Sequence, residues 1–266
     1  YLLVSSSHHS RMMGYYNEFT KKFNETEFLT SIYEATFRND INIIVLDEMN
    51  LARVEYYFAD FLSLLELPNS DEWLIEVVPN QLIGDPINLK EGKIKIPENI
   101  WFIGTANNDD STFGITDKVY DRASSIVMNE KAVEFEGKPF ENVNISYEYI
   151  NDLFIKANQK YEISNEVMKG LEKLDDYISN TFQITFGNRI MNQVKTFIPV
   201  YVACGRSELE GIDYLIARKI IRKFETLNLP FLKRELEELV KLFHSFFGKD
   251  KLVESKNMVI MFITQI

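Results

Sequence analysis

Cysteine is almost missing from these 266 residues, and the single thiol, Cys204, excludes a disulfide within the chain. Its apolar neighbours in "FIPVYVACG" predict a buried thiol, not a catalytic one, and one unpaired thiol fits a reducing, cytoplasmic setting. Long apolar runs are missing as well. None reaches the roughly 18 residues that a membrane-crossing helix needs, so no bilayer span is expected. "YLLVSSSHH" has neither the basic start nor the long apolar centre of a signal peptide. Positive charge is in deficit: 29 Lys and Arg stand against 40 Asp and Glu, a formal net charge of -11. That balance excludes a surface broadly adapted to coat nucleic acid or an anionic membrane, though not a local basic groove. No repeat or low-complexity segment stands out.

What is present is enough apolar material for a sizeable core. Hydrophobic residues make up 45% of the chain, which excludes general disorder, and the length suits one large domain or two small ones. The pattern changes near residue 140. Before it, short branched apolar runs alternate with helical periods, the signature of an α/β part with a parallel sheet. "YLLVSS", "INIIVLD" and "IWFIGTA" are the expected strands, with a weaker one at "SSIVMN", and "FLTSIYEATF" is a helix. The near-continuous apolarity of "INIIVLD" and "IWFIGTA" predicts burial on both faces. Residues 67–99 between them read as a hairpin insertion. After residue 140 the signals are helical, with Ile212, Ile216, Ile220 and Phe224 forming one apolar stripe and Leu232, Leu236, Leu239, Val240 and Phe243 another. The expected organisation is an α/β domain over 1–140 and a helical domain over 141–266.

Two strand ends carry chemistry. Asp47 and Glu48 close the run "IIVLDE", and ligands of parallel α/β sheets gather at the carboxyl ends of strands. A first acid there can hold magnesium while the next orients or deprotonates an attacking water. The plainer alternative is a loop start or a cap for the following helix. Phe58, Phe61, Leu62 and Leu65 mark only the buried face of that helix. In "IWFIGTANNDDSTFGITDKVYDRA", Asn107 follows a second buried strand and would stand beside Glu48 if the strands are neighbours. The alternative is a turn in which Asn and Asp satisfy their own backbone. Arg122 could reach a phosphate on a neighbouring subunit, or form a surface ion pair with Asp117 or Asp121.

Taken in this order, the motifs resemble the later part of a AAA+ ATPase, closest to the McrB-like and MoxR-like branch. "IIVLDEMN" resembles the Walker B strand of that branch followed by Asn50. "GTANNDD" resembles the sensor 1 loop, with Asn107 as sensor, although McrB proteins show Met-Asn-Thr and then Asp-Arg there. "DKVYDRA" is similar to the segment carrying the arginine finger, Arg122, and "FGNRIMNQV" places Arg189 where a sensor 2 arginine would stand. "MMGYYNEFTKKFNETEFLTSIYEA" looks like the segment leading from the second core strand to the next helix. The resemblance covers residues 1 to about 225 and is strongest over 41–127.

The resemblance implies a P-loop NTPase core followed by a helical lid. It implies Glu48, Asn107 and Arg122 as catalytic residues, Asp47, Asn50 and Arg189 as nucleotide contacts, and Asp47 as the magnesium ligand. The implied cofactors are ATP or GTP and Mg2+, the implied assembly a homo-oligomeric ring. A McrB-like parent would add a nuclease subunit and DNA, a MoxR-like parent a protein substrate. Yet no window carries the phosphate loop Gly-x-x-x-x-Gly-Lys-Ser/Thr. The pairs beginning at Gly92, Gly137 and Gly248 lack both the upstream glycine and the hydroxyl residue. The expectation is that the chain begins after the loop, so that alone it is inactive and its sheet lacks the central strand. A non-hydrolysing assembly module with the same fold is the alternative, and a nucleic-acid-binding protein is disfavoured by the acidic composition.

Overall fold

The computed structural model describes residues 12–266 apart from 81–82, 108, 110, 129–130, 132, 138 and 140. The expected strand "YLLVSS" lies outside the described residues. The chain is α/β and divides into two compact units, residues 1–150 and 151–266. No helix among the described residues is long and apolar enough to cross a membrane.

The first unit opens with an antiparallel hairpin of β1 (Gly14–Asn17) and β2 (Lys22–Glu25), which leads into α1 (Glu27–Ala35). Thr26 starts that helix by accepting from the Leu29 amide, while its hydroxyl donates to the Met12 carbonyl at 2.5 Å. Phe28, Leu29, Ile32 and Ala35 recur at helical spacing and are the buried face of α1. β3 (Asn42–Leu46) follows, then a 3-10 turn over Met49–Leu51, α2 (Val54–Tyr57) and α3 (Ala59–Leu64). The expected insertion is a small antiparallel sheet of β4 (Leu74–Glu76), β5 (Leu89–Lys90) and β6 (Lys93–Lys95), in the order β4-β6-β5. Glu91 and Gly92 join its last two strands with φ of 53° and 75°, the positive values that a two-residue hairpin turn requires. A side chain at Gly92 would also meet the Val78 carbonyl oxygen at 2.0 Å.

The chain then returns as β7 (Ile100–Gly104), which pairs with β3 in parallel, Asn42 opposite Ile100 through Leu46 opposite Gly104. A short α4 (Asp117–Tyr120) follows. The expected strand at "SSIVMN" is not formed: residues 124–128 have no regular structure. Burial also departs from expectation. Ile44 and Leu46 are buried, but Ile43, Trp101 and Ile103 are 50%, 39% and 47% exposed. Successive side chains on a strand point to opposite faces, and the described elements cover only one of them.

On the covered face, Phe102 meets an aromatic cluster. Its ring lies 5.2 Å from Phe58 and 5.4 Å from Phe61, centroid to centroid, while Phe28 stands edge-on to Phe61 at 5.3 Å. Burying a phenylalanine contributes about 1.5–3 kcal/mol, and edge-to-face pairs add about 0.5–1.5 kcal/mol. The cluster thereby fixes β7 against α1 and α3. At the entry end of the two strands, the buried Asn99 amide donates to the carbonyls of Ala35, Arg38 and Asp40 at 3.2, 2.9 and 3.1 Å. Its main-chain carbonyl accepts from the Asn42 amide at 2.8 Å. The side chain of Asn99 therefore closes the end of α1, and its main chain starts the pairing of the two strands.

The helical unit begins within α5 (Tyr147–Lys160) and continues through α6 (Asn165–Phe182), α7 (Gly187–Ala203), α8 (Glu208–Lys219), α9 (Lys233–Phe247) and α10 (Val253–Thr264). The two predicted stripes belong to its core: Ile212, Ile216, Ile220 and Phe224 are buried, as are Leu236, Leu239 and Phe243, alongside buried residues of α6, α7 and α10. The first stripe is not one helix, because α8 stops at Lys219 and a 3-10 segment over Ile221–Thr226 continues it. A capping box starts α8: Ser207 accepts from the Glu210 amide, and the Glu210 carboxylate accepts from the Ser207 amide. Those bonds hold the Glu210 carboxyl below its usual range. The buried Asp213 carboxylate caps α10 from α8, accepting from the amides of Glu254 and Ser255 at 2.7 and 2.8 Å and from the Ser255 hydroxyl at 2.6 Å.

Cys204 is exposed, contrary to the expectation of burial. The buried positions of α7 run Ile190, Val194, Ile198, and Val202 continues them as a partly buried side chain. Cys204, two residues later, stands about 200° around the helix from that stripe.

Asn99→Ala is expected to lower stability by about 2–4 kcal/mol, since it removes the buried side-chain amide that donates to three carbonyls between the end of α1 and the start of β3, while the main-chain bond to Asn42 remains. Urea denaturation followed by circular dichroism measures this; a loss under about 1 kcal/mol would contradict the role given to Asn99.

Candidate functional site

Parallel strands that neighbour each other deliver their carboxyl ends to the same side, so β3 and β7 place Asp47 and Glu48 beside the segment that begins at Thr105. Thr105 makes the junction. Its amide donates to the Leu46 carbonyl at 3.0 Å, and its carbonyl accepts from the Met49 amide at 2.8 Å. Its hydroxyl accepts from the Glu48 amide at 2.8 Å and donates to Asp47 Oδ1 at 2.5 Å. Gly104 leaves room for the Met49 side chain, whose Sδ would stand 2.1 Å from a Cβ there.

Asn50 forms a second clasp. Only 4% exposed, it donates from Nδ2 to the carbonyls of Asn107 at 2.7 Å and Phe113 at 3.1 Å, and its main-chain carbonyl accepts from the Phe113 amide at 2.9 Å. The turn after β3 and the loop of residues 107–113 are thus tied by one amide. Within that loop Asp109 closes a turn on Ser111, accepting from its amide at 2.9 Å and its hydroxyl at 2.6 Å, which holds the Asp109 carboxyl below its usual range. Asn107 is exposed, and its carbonyl also accepts from the Thr112 hydroxyl at 2.9 Å.

Glu48 has φ 49° and ψ 43°, a left-handed conformation that L-residues other than glycine, asparagine and aspartate rarely adopt. Such a residue costs on the order of 1–2 kcal/mol. The Thr105 hydroxyl on its amide and the bonds on either side of it hold the turn. Tyr57 supports the same turn from α2, donating its hydroxyl to the Met49 carbonyl at 3.0 Å. Burial pushes the Tyr57 phenol up to about 12.

Arg122 follows α4, and its guanidinium grips Glu66 just beyond α3: Nε lies 2.6 Å from one carboxylate oxygen, and a terminal nitrogen donates to the other at 2.6 Å. The two side chains are 14% and 23% exposed. Sequence reading did not single out Glu66, whose position in "LLELP" carries no signal beyond a polar residue at a helix end. Arg189 belongs to the helical unit, exposed on the first turn of α7. The first unit thus brings together Asp47, Glu48, Asn50 and Asn107. Thr105, unremarked within "GTANNDD", is what joins them.

Among the described residues no three acidic, histidine or cysteine side chains gather to cage a metal. A single strand-tip carboxylate, with one oxygen engaged by Thr105, instead fits Mg2+, which is commonly held through one or two carboxylates, water and substrate phosphates. Asp47 would hold it.

Two outcomes follow for the isolated chain. Glu48→Gly is expected to leave the melting temperature unchanged or raise it, because glycine accepts the left-handed turn and the side chain lost is exposed; a fall of several degrees in a thermal melt would show that Glu48 is held for packing. The raised Tyr57 phenol favours the folded state below the unfolded value near 10, and that contribution is lost as pH rises from about 10 to about 12. Alkaline denaturation curves of Tyr57→Phe should therefore fall less steeply across this window than those of the parent chain. Equal slopes would deny the linkage. Comparisons with protein-family models, curated proteins and solved structures found no match to this chain.

Proposed function

We propose that this chain supplies part of the nucleotide-hydrolysis site of a AAA+ ATPase of the McrB-like or MoxR-like branch, with the phosphate loop provided from outside these 266 residues. The observation that carries the reading is the parallel pairing of β3 with β7, which sets an acid pair and an asparagine-bearing loop at one sheet edge. In this reading the Asp47 carboxylate binds Mg2+, and Glu48 takes the proton of the attacking water. The metal supplies charge neutralisation on the phosphates. The Asn107 amide orients that water or a phosphate oxygen, Asn50 holds the loop that carries Asn107, and Arg122 brings positive charge to the nucleotide from a neighbouring subunit in a ring. Turnover would drive remodelling or translocation of a macromolecule: DNA together with a nuclease subunit in a McrB-like system, a protein in a MoxR-like one.

A second reading, a non-hydrolysing assembly module, is favoured by the grip of Glu66 on Arg122, which accounts for that arginine within one subunit. Glu48→Gln separates the two. In a longer protein containing both this chain and a Gly-x-x-x-x-Gly-Lys-Ser/Thr loop, the substitution is expected to cut ATP turnover by about 100-fold or more while leaving ATP binding intact. Turnover equal to that of the parent removes Glu48 as the base, and no turnover in the parent itself favours the assembly module.

A further inference from the structure

We propose that Thr105 is a positioning residue that presets the Asp47 carboxylate for a divalent cation, an inference that rests on the reading of Asp47 as a metal-binding acid. A hydroxyl has one proton and two acceptor sites. The Glu48 amide occupies an acceptor site of Thr105, and Asp47 Oδ1 lies 2.5 Å away on the donor side, so the proton points to the carboxylate. Rotation of a carboxylate about its terminal bond is soft, and this bond removes that freedom at one oxygen. No hydrogen bond to Oδ2 is present among the described residues, which leaves that oxygen as the one offered to a cation. Partners that orient a metal-binding group in this way typically contribute about 10–100-fold to metal affinity.

Thr105 also begins the loop that carries Asn107, and its backbone is bonded to Leu46 and Met49. The carboxylate and the loop therefore share one anchor, so displacement of either is transmitted to the other through a single side chain. Neither the acid pair nor the asparagine alone has this property.

The test is a titration of the chain with Mn2+ alone, followed by paramagnetic broadening of the amide signals of residues 47–50 and 104–107. Thr105→Val keeps the shape of the side chain and removes the hydroxyl; Thr105→Ser keeps the hydroxyl. The expected result is broadening confined to those segments, affinity lowered about 10-fold in Thr105→Val, and recovery to within about twofold of the parent in Thr105→Ser. If Thr105→Val unfolds the sheet, Thr105→Ala and Thr105→Ser are compared in its place. Equal Mn2+ affinity with and without the hydroxyl, no recovery with serine, or no site-specific broadening in the parent chain overturns the proposal. Failure of hydrolysis is read separately: a Mn2+ response that follows the hydroxyl, in a protein whose longer form turns over no ATP, removes the ATPase reading and leaves the role of Thr105 standing.

Discussion

The parallel register between β3 and β7 is the constraint from which the rest of the first unit follows. Two parallel strands need a long crossover, and residues 47–99 provide it with two short helices and an antiparallel insertion. The register is held at three levels. Asn99 joins the strand starts to the end of α1, Phe102 seats the middle of β7 among Phe28, Phe58 and Phe61, and Thr105 and Asn50 join the strand exits. A slip by one residue would turn Phe102 out of the aromatic cluster and carry Thr105 away from Asp47.

At the exit end, strain and hydrogen bonding offset each other. Glu48 occupies a backbone conformation that is costly for glutamate, and bonds from its own amide, its neighbours and Tyr57 surround it. Strain of this kind persists only where the surrounding structure over-determines it, and it is common where a side chain must be presented at an exact place. The exposed Glu48 side chain above a heavily bonded backbone has that form. Arg122 lies outside the cluster, and its pairing with Glu66 ties the segment after β7 to the end of α3.

The helical unit is organised on different lines. Its core joins the two apolar stripes to the buried faces of α6, α7 and α10, with the polar work done at helix ends: the capping box of α8 and the Asp213 carboxylate that serves α10. Asp213 stands in the middle of α8, inside "ELEGIDYLIARK", where sequence patterning alone would place an ordinary solvated acid. Its partners Glu254 and Ser255 are about 40 residues away, and only packing of α8 on α10 makes it a cap.

What the sequence by itself determined was local and periodic. The helices after residue 140, the hairpin insertion and the strands at "INIIVLD" and "IWFIGTA" were legible because spacing of apolar residues dictates which face is buried, and turn residues dictate where the chain reverses. The strand-tip positions of Asp47, Glu48 and Asn107 were legible for the same reason. Tertiary structure alone decided which strand face is covered, that Cys204 falls off its helical stripe into solvent, that Glu66 takes Arg122, and that Thr105 and Asn50 bind the two strand exits together. Each of these depends on partners dozens of residues apart, and a hydrogen bond or ion pair requires a distance and a direction that no pattern along the chain can encode.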